Sequence, residues 1–111
     1  MTVITIATDF ARYPFGRYVD DGPYSGQRFR EEFLAPALER DSNEITVVLD
    51  GAIGMGSSFL EEAFGGLVRQ GFDRDEVARR IRISSSRDGT KMSEIARYIA
   101  EAELPRHRAH A

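Results

Sequence analysis

Two adjacent serines, Ser57 and Ser58, follow the glycines of Gly51-x-x-Gly54-x-Gly56 and precede an apolar helical pattern. A hydroxyl in such a place has three uses: nucleophilic attack, a bond to a helix amide, or acceptance of a phosphoryl group. Attack needs a base within hydrogen-bond reach, and the two histidines, His107 and His110, lie in a short C-terminal tail. The glycine spacing is not that of a nucleophile elbow. It lacks the lysine of a P-loop and the spacing of a dinucleotide fingerprint, so it resembles a phosphate loop only loosely. Asp20, Asp21, Asp50, Glu61 and Glu62 could approach one another, yet nothing in their spacing demands it. Turn formation accounts for the aspartates, and helix capping with a favourable dipole interaction accounts for the glutamates. Cysteine is absent, which excludes a thiol nucleophile, a disulfide and a thiolate metal site. No metal and no cofactor is expected, and the chain is not expected to be an enzyme.

The elements that must position the serines are legible. Ile45 to Leu49 is a β-branched and aliphatic run suited to a strand covered on both faces, over about 44–50. Gly51, Gly54 and Gly56 then let the backbone turn. Ser58 reads as an N-cap in a capping box with Glu61. Leu60, Ala63, Phe64, Leu67 and Val68 fall at i, i+3, i+4, i+7 and i+8, one apolar stripe, and Gly71 stands where a left-handed residue ends a helix. Ser57 is not needed for the cap and should be accessible at the carboxyl end of a strand, where sites of open α/β sheets lie. Gly65 and Gly66 inside the helix each cost about 1 kcal/mol relative to alanine, which points to close approach of another backbone.

The flanking segments complete the reading. Residues 3–7 form a first strand, and residues 8–24 are irregular and aromatic, with Gly16 to Val19 as either a short paired strand or a loop. Ser25 caps a helix whose apolar face includes Phe29, Phe33 and Leu38, and which Pro36 should bend or break. Asp73 to Glu76 opens a short helix to about Arg80 by a capping box, and residues 81–84 form a strand. Thr90 caps a last helix with Met92, Ile95, Ala96 and Ile99 as its stripe. The expected fold class is α/β: a small sandwich with a mixed sheet of about four strands packed with three to four helices, one domain over 1–104, and a disordered tail over 105–111.

The totals bound the function. At 111 residues the chain buries about 65% of its unfolded surface, enough for a core without staples. Its 15 basic and 18 acidic side chains give a net charge of −3, which argues against non-specific nucleic-acid binding. No apolar run approaches the roughly 20 residues of a membrane span, and Met1 to Thr5 lacks the features of a signal peptide, so a cytoplasmic protein is expected.

Val47-Val48-Leu49-Asp50, a short turn, and Met55-Gly56-Ser57-Ser58 opening a helix resemble the centre of STAS domains, the sulfate-transporter and anti-sigma-factor-antagonist domains. The nearer resemblance is to the STAS-like family of bacterial proteins. It is carried by Gly22-Pro23-Tyr24-Ser25-Gly26 with Phe29-Arg30, and by Ser57 to Leu67. In the anti-sigma-factor antagonists the first serine of an Asp-Ser-Ser-Gly motif is phosphorylated by a histidine-kinase-like ATPase partner. That serine corresponds to Ser57, while Gly56 stands for the aspartate and Phe59 for the glycine. The resemblance implies a STAS-like fold and a regulatory protein-binding module. Its protein partner would be such an ATPase or an anti-sigma-like factor, with homodimerisation left open. Ser57 and Ser58 would be the phosphorylation candidates, and Gly54, Gly56, Ser57, Ser58, Phe59, Glu61 and Glu62 the partner surface. The alternative is a small-molecule or nucleotide sensor using the turn 51–58.

Overall fold

A computed structural model describes residues 2–86 and 89–104. The tail expected over 105–111 lies outside the described residues. Three strands, β1 (Thr2–Thr5), β2 (Ile45–Val48) and β3 (Ile81–Ser84), form a parallel sheet in the order β1-β2-β3. Register aligns Ile4 with Val47 and Val47 with Ile83.

The sheet is therefore parallel with three strands, not mixed with about four. The Gly16 to Val19 segment, open between a short strand and a loop, is a loop, and the backbone bonding explains why. Asp21 accepts from the amides of Arg17 and Tyr18 at 3.0 and 2.9 Å. The carbonyls of Gly16 and Arg17 accept from Gly26 and Gln27 at 2.9 and 3.0 Å. Those two donors are first-turn amides of the next helix, which have no partner inside it. The loop thus satisfies a helix end and has no groups left for a strand. β1 also stops early, because Asp9 takes the Thr5 amide at 2.7 Å and a π-helical turn, Ile6–Phe10, follows.

Helix α1 runs through Gly26–Phe29, a π-helical stretch Arg30–Leu34 and Ala35–Arg40. Ser25 caps it, accepting from the Arg28 amide at 3.2 Å. Pro36 does not break it: the wider hydrogen bonding of the π stretch lies just ahead of the proline, and the chain remains helical to Arg40. Helix α2 is continuous through Ser57–Leu60, a π-helical stretch Glu61–Gly65 and Gly66–Gln70. It ends at Gly71, φ 123°, with Phe72 donating to Leu67 and Gly71 to Val68, the paired bonds of a Schellman motif. Helix α3 (Arg74–Arg80) is capped by Asp73, which accepts from the Glu76 amide at 3.1 Å; the Glu76 carboxylate pairs with Arg79 and Arg80. Helix α4 spans Thr90–Glu101, so Thr90 is its first residue and Gly89 precedes it.

With sequential parallel strands, both crossovers step in the same direction. Right-handed crossovers then place the helices on one face of the sheet. Burial agrees: Ile4, Ile45, Val47 and Ile81 are buried, whereas Val3 and Arg82, on the opposite face, are exposed. β2 is thus fully covered on one face and half-covered on the Thr46 and Val48 face, not enclosed on both.

The α2 stripe lies in the core, where Leu60, Ala63, Phe64, Leu67 and Val68 are all at 0% exposure. Phe29 of α1 stacks on Phe59 and meets Phe64 edge-on, with ring centroids 5.9 and 6.5 Å apart. On α4, Ile95 and Ile99 are buried, while Met92 and Ala96 border an apolar groove between α3, α4 and the edge of β3. Gly26 permits a close contact of α1 with α2, since a Cβ there would strike the Phe59 carbonyl and lie 3.1 Å from the Ala63 nitrogen.

Two substitutions test this packing. Phe64→Ala should cost about 3–5 kcal/mol in urea unfolding. Gly26→Ala should cost about 1–3 kcal/mol, because the obstructing atoms are backbone and cannot rotate away. A melting curve unchanged by either would place the α1–α2 contact elsewhere.

Candidate functional site

Ser57 and Ser58 are exposed in the first turn of α2. The helix begins two residues earlier than the capping-box reading requires. Gly56 is the N-cap residue, Ser57 is the first helical residue, and no side chain caps the end. The Ser58–Glu61 capping box is therefore absent, and Glu61 has other partners.

Those partners form an arginine–glutamate cluster behind the serines. Arg69 grips Glu61 with two bonds, Nη1 to Oε2 at 2.6 Å and Nη2 to Oε1 at 3.0 Å. Arg17, from the loop before α1, donates to Glu61 Oε1 at 2.6 Å. Arg69 also reaches Glu62 at 3.1 Å. Arg30 of α1 donates from Nη1 to the Glu62 carboxylate at 2.6 Å and to the Glu62 carbonyl at 2.9 Å, and from Nε to Gln70 at 3.0 Å. Arg30 and Glu62 are both buried. Gly66 makes room for the Arg30 guanidinium, which would collide with a Cβ there, and a Cβ at Gly65 would press on Glu61 and the Tyr98 carbonyl. The two helix glycines thus admit one side chain and one neighbouring backbone.

The cluster sets the charge states. Burial would raise the Glu61 carboxyl, but the bonds from Arg69 and Arg17 outweigh it and hold the group below its ordinary value. The Glu61 hydrogen bond in turn raises Arg69 and Arg17.

Two clefts flank the first turn of α2. One, of about 660 Å³, has Phe15, Arg17 and Tyr18 on one wall and Gly56, Ser57 and Ser58 on the other. Phe15 is 70% exposed and Tyr18 51%, so its rim is aromatic and open. The second, of about 450 Å³, lies at the carboxyl end of β2 and includes Arg12, Asp50, Ile53 and Lys91. Two of its polar groups are engaged: Lys91 donates to the Met55 carbonyl at 3.1 Å, and Asp50 accepts from the Ser86 amide and hydroxyl at 2.9 and 3.0 Å. The strand order does not reverse, so this edge lacks the switch point at which open α/β sheets form ligand crevices.

Of the expected contact residues, Gly54, Gly56, Ser57 and Ser58 are exposed. Phe59 and Glu62 are not available to a partner, since Phe59 is stacked in the core and Glu62 is buried against Arg30. Glu61 is half-buried and engaged by two arginines. The carboxylates do not assemble into one group: Asp21 serves its own loop, Asp50 holds Ser86, and only Glu61 and Glu62 share partners. The sequence reading missed Arg17, Arg30 and Arg69. The paired helix glycines were the available signal, because they mark where a bulky neighbour enters.

A family model described as the STAS-like domain of unknown function, DUF4325, matches residues 25–91. A search of the curated proteins finds no match, and neither does a search of the solved structures.

Acid should reveal the cluster. Because the folded Glu61 value is lowered, its contribution is complete above the ordinary carboxylate value of 4.5 and is lost as pH falls through the lower folded value. Glu61→Gln should flatten unfolding free energy against pH in that window. Glu62→Ala should cost about 3–5 kcal/mol near neutral pH, by stranding a buried guanidinium.

Proposed function

From the chain's membership of the STAS-like domain family, we propose that it is a non-enzymatic regulatory module that binds another protein, in the manner of an anti-sigma-factor antagonist. Its contact surface is the first turn of α2 with the aromatic rim opposite, and phosphorylation of Ser57 by a histidine-kinase-like ATPase would control it. The observation that carries this reading is the exposure of Ser57 and Ser58 beside exposed Phe15 and Tyr18. Contiguous exposed apolar surface on a small domain marks an interaction site, and aromatic side chains are the anchors such sites favour. A phosphoryl group would add about 1.5–2 negative charges where a partner had met a small hydroxyl.

Nucleotide sensing at the cleft of Arg12 and Lys91 is the competing reading, and calorimetric titration of the chain with ATP and GTP decides it. The regulatory reading expects no heat. Mass spectrometry of the protein from its native cells should find phosphate on Ser57. Ser57→Asp and Phe15→Ala should each reduce capture of the phosphorylating ATPase at least tenfold, while Ser57→Ala retains most of it. Unmodified Ser57 together with equal capture by all variants would remove the switch.

A further inference from the structure

We propose that Arg17 is a latch that exchanges Glu61 for a phosphoryl group on Ser57, and that this exchange unties the aromatic loop from Glu61; the inference rests on the reading of Ser57 as the modified residue. Ser57 and Glu61 stand at i and i+4 on α2, which places their Cβ atoms about 5–6 Å apart. Arg17 lines the same cleft as Ser57 and holds Glu61 at 2.6 Å. A swing of one helical turn therefore carries its guanidinium from one residue to the other.

The cluster is built to release this arginine and no other. Arg30 is buried on Glu62, the Glu62 carbonyl and Gln70. Arg69 is bidentate on Glu61. Arg17 is about as exposed as Arg69, but it makes a single short bond, to Glu61, with Glu62 a longer contact at 3.6 Å. When Arg17 leaves, Glu61 keeps both bonds from Arg69, so no carboxylate is stranded.

The drive is electrostatic. Phosphoryl transfer from a nucleoside triphosphate forms the Ser57 Oγ–P bond and breaks the bond between the γ-phosphorus and its bridging oxygen. The nucleoside diphosphate leaves, and the hydroxyl proton passes to the medium. The product is a dianion one turn from the Glu61 carboxylate, a like-charge pair on one helix face. An arginine matches phosphate geometry with two parallel bonds, and Arg17 already stands beside both anions. The effect is carried by the chain, because Arg17 lies between Phe15 and Tyr18 in sequence and its backbone carbonyl is bonded to Gln27 of α1. Moving the guanidinium therefore removes the rim's side-chain tie to Glu61, while the backbone bonds to α1 hold.

The test uses the whole chain with phosphoserine placed at position 57, titrated by phosphorus NMR. The second ionisation of a phosphoserine lies near ~6. With Arg17 present, the midpoint should fall about one pH unit below that of the phosphorylated Arg17→Gln chain, since an opposite charge within hydrogen-bond reach lowers an acid by this much or more. Helix amides act equally in both chains and cancel. A second readout needs no substitution: on phosphorylation the Arg17 side-chain N–H resonances should move and those of Arg69 stay. Coincident midpoints, or an unmoved Arg17 signal, overturn the latch. Cells that never phosphorylate Ser57 would end the regulatory reading, yet the titration would still decide the geometry, so the two failures are distinguishable.

Discussion

Arg30 and Glu62 leave water together, and much of the helical layer is arranged to keep them satisfied. A buried pair gains stability only when geometry is good and the remaining donors and acceptors are bonded. Here the guanidinium takes the Glu62 carboxylate, the Glu62 carbonyl and Gln70. This set fixes the rotation and register of α1 against α2. It requires glycine at 66, where any Cβ would occupy the guanidinium's place. It also requires α1 and α2 to lie close, which Gly26 allows at the other end of the contact. Glu61, next in sequence, is half-buried beside this pair and recruits Arg17 and Arg69.

A second constraint comes from connectivity. Parallel strands in sequential order, joined by right-handed crossovers, put the helices on one side. That crowding is why α2 is buried nearly all round from Phe59 to Val68, with Glu61 the exception. It also leaves no reversal in strand order, so the cleft at the glycine-rich turn 51–56 does not lie at a switch point.

The central strand, the α2 stripe, the Ser25 and Asp73 caps and the Gly71 stop were legible because each depends on local spacing or on one side chain beside its own helix. What depended on distant partners was not. Glu61 has the right spacing for a capping box with Ser58, but two arginines from elsewhere offer bonds in which both partners are charged, one of them bidentate, against a single amide donor in the box. The Gly16 to Val19 segment has strand-like residues, yet its carbonyls serve the amides of Gly26 and Gln27. Phe59 extends the α2 stripe backwards by one residue, a sign of burial outweighed by its place in a motif otherwise read as surface. The buried Arg80, which donates to the carbonyls of Leu38 and Asn43, carried no sequence signal: its partners are backbone atoms 37 and 42 residues away.

The aromatic rim illustrates how a loop can be exposed and ordered at once. Phe15 and Tyr18 have little packing to hold them, but the backbone beneath is pinned on several sides. The Phe15 amide donates to Tyr24, the Gly16 and Arg17 carbonyls receive from α1, and the Arg17 side chain reaches α2. An ordered loop loses less conformational entropy on association than a free one, so apolar area presented this way converts more fully into affinity. The same pinning gives the loop a point of control. Most of its anchors are neutral backbone bonds that no change of charge at Ser57 would displace. The Arg17–Glu61 ion pair joins two charged side chains, and it lies a single helical turn from the exposed serines. A negative charge arriving there would act first on the one anchor able to respond to it.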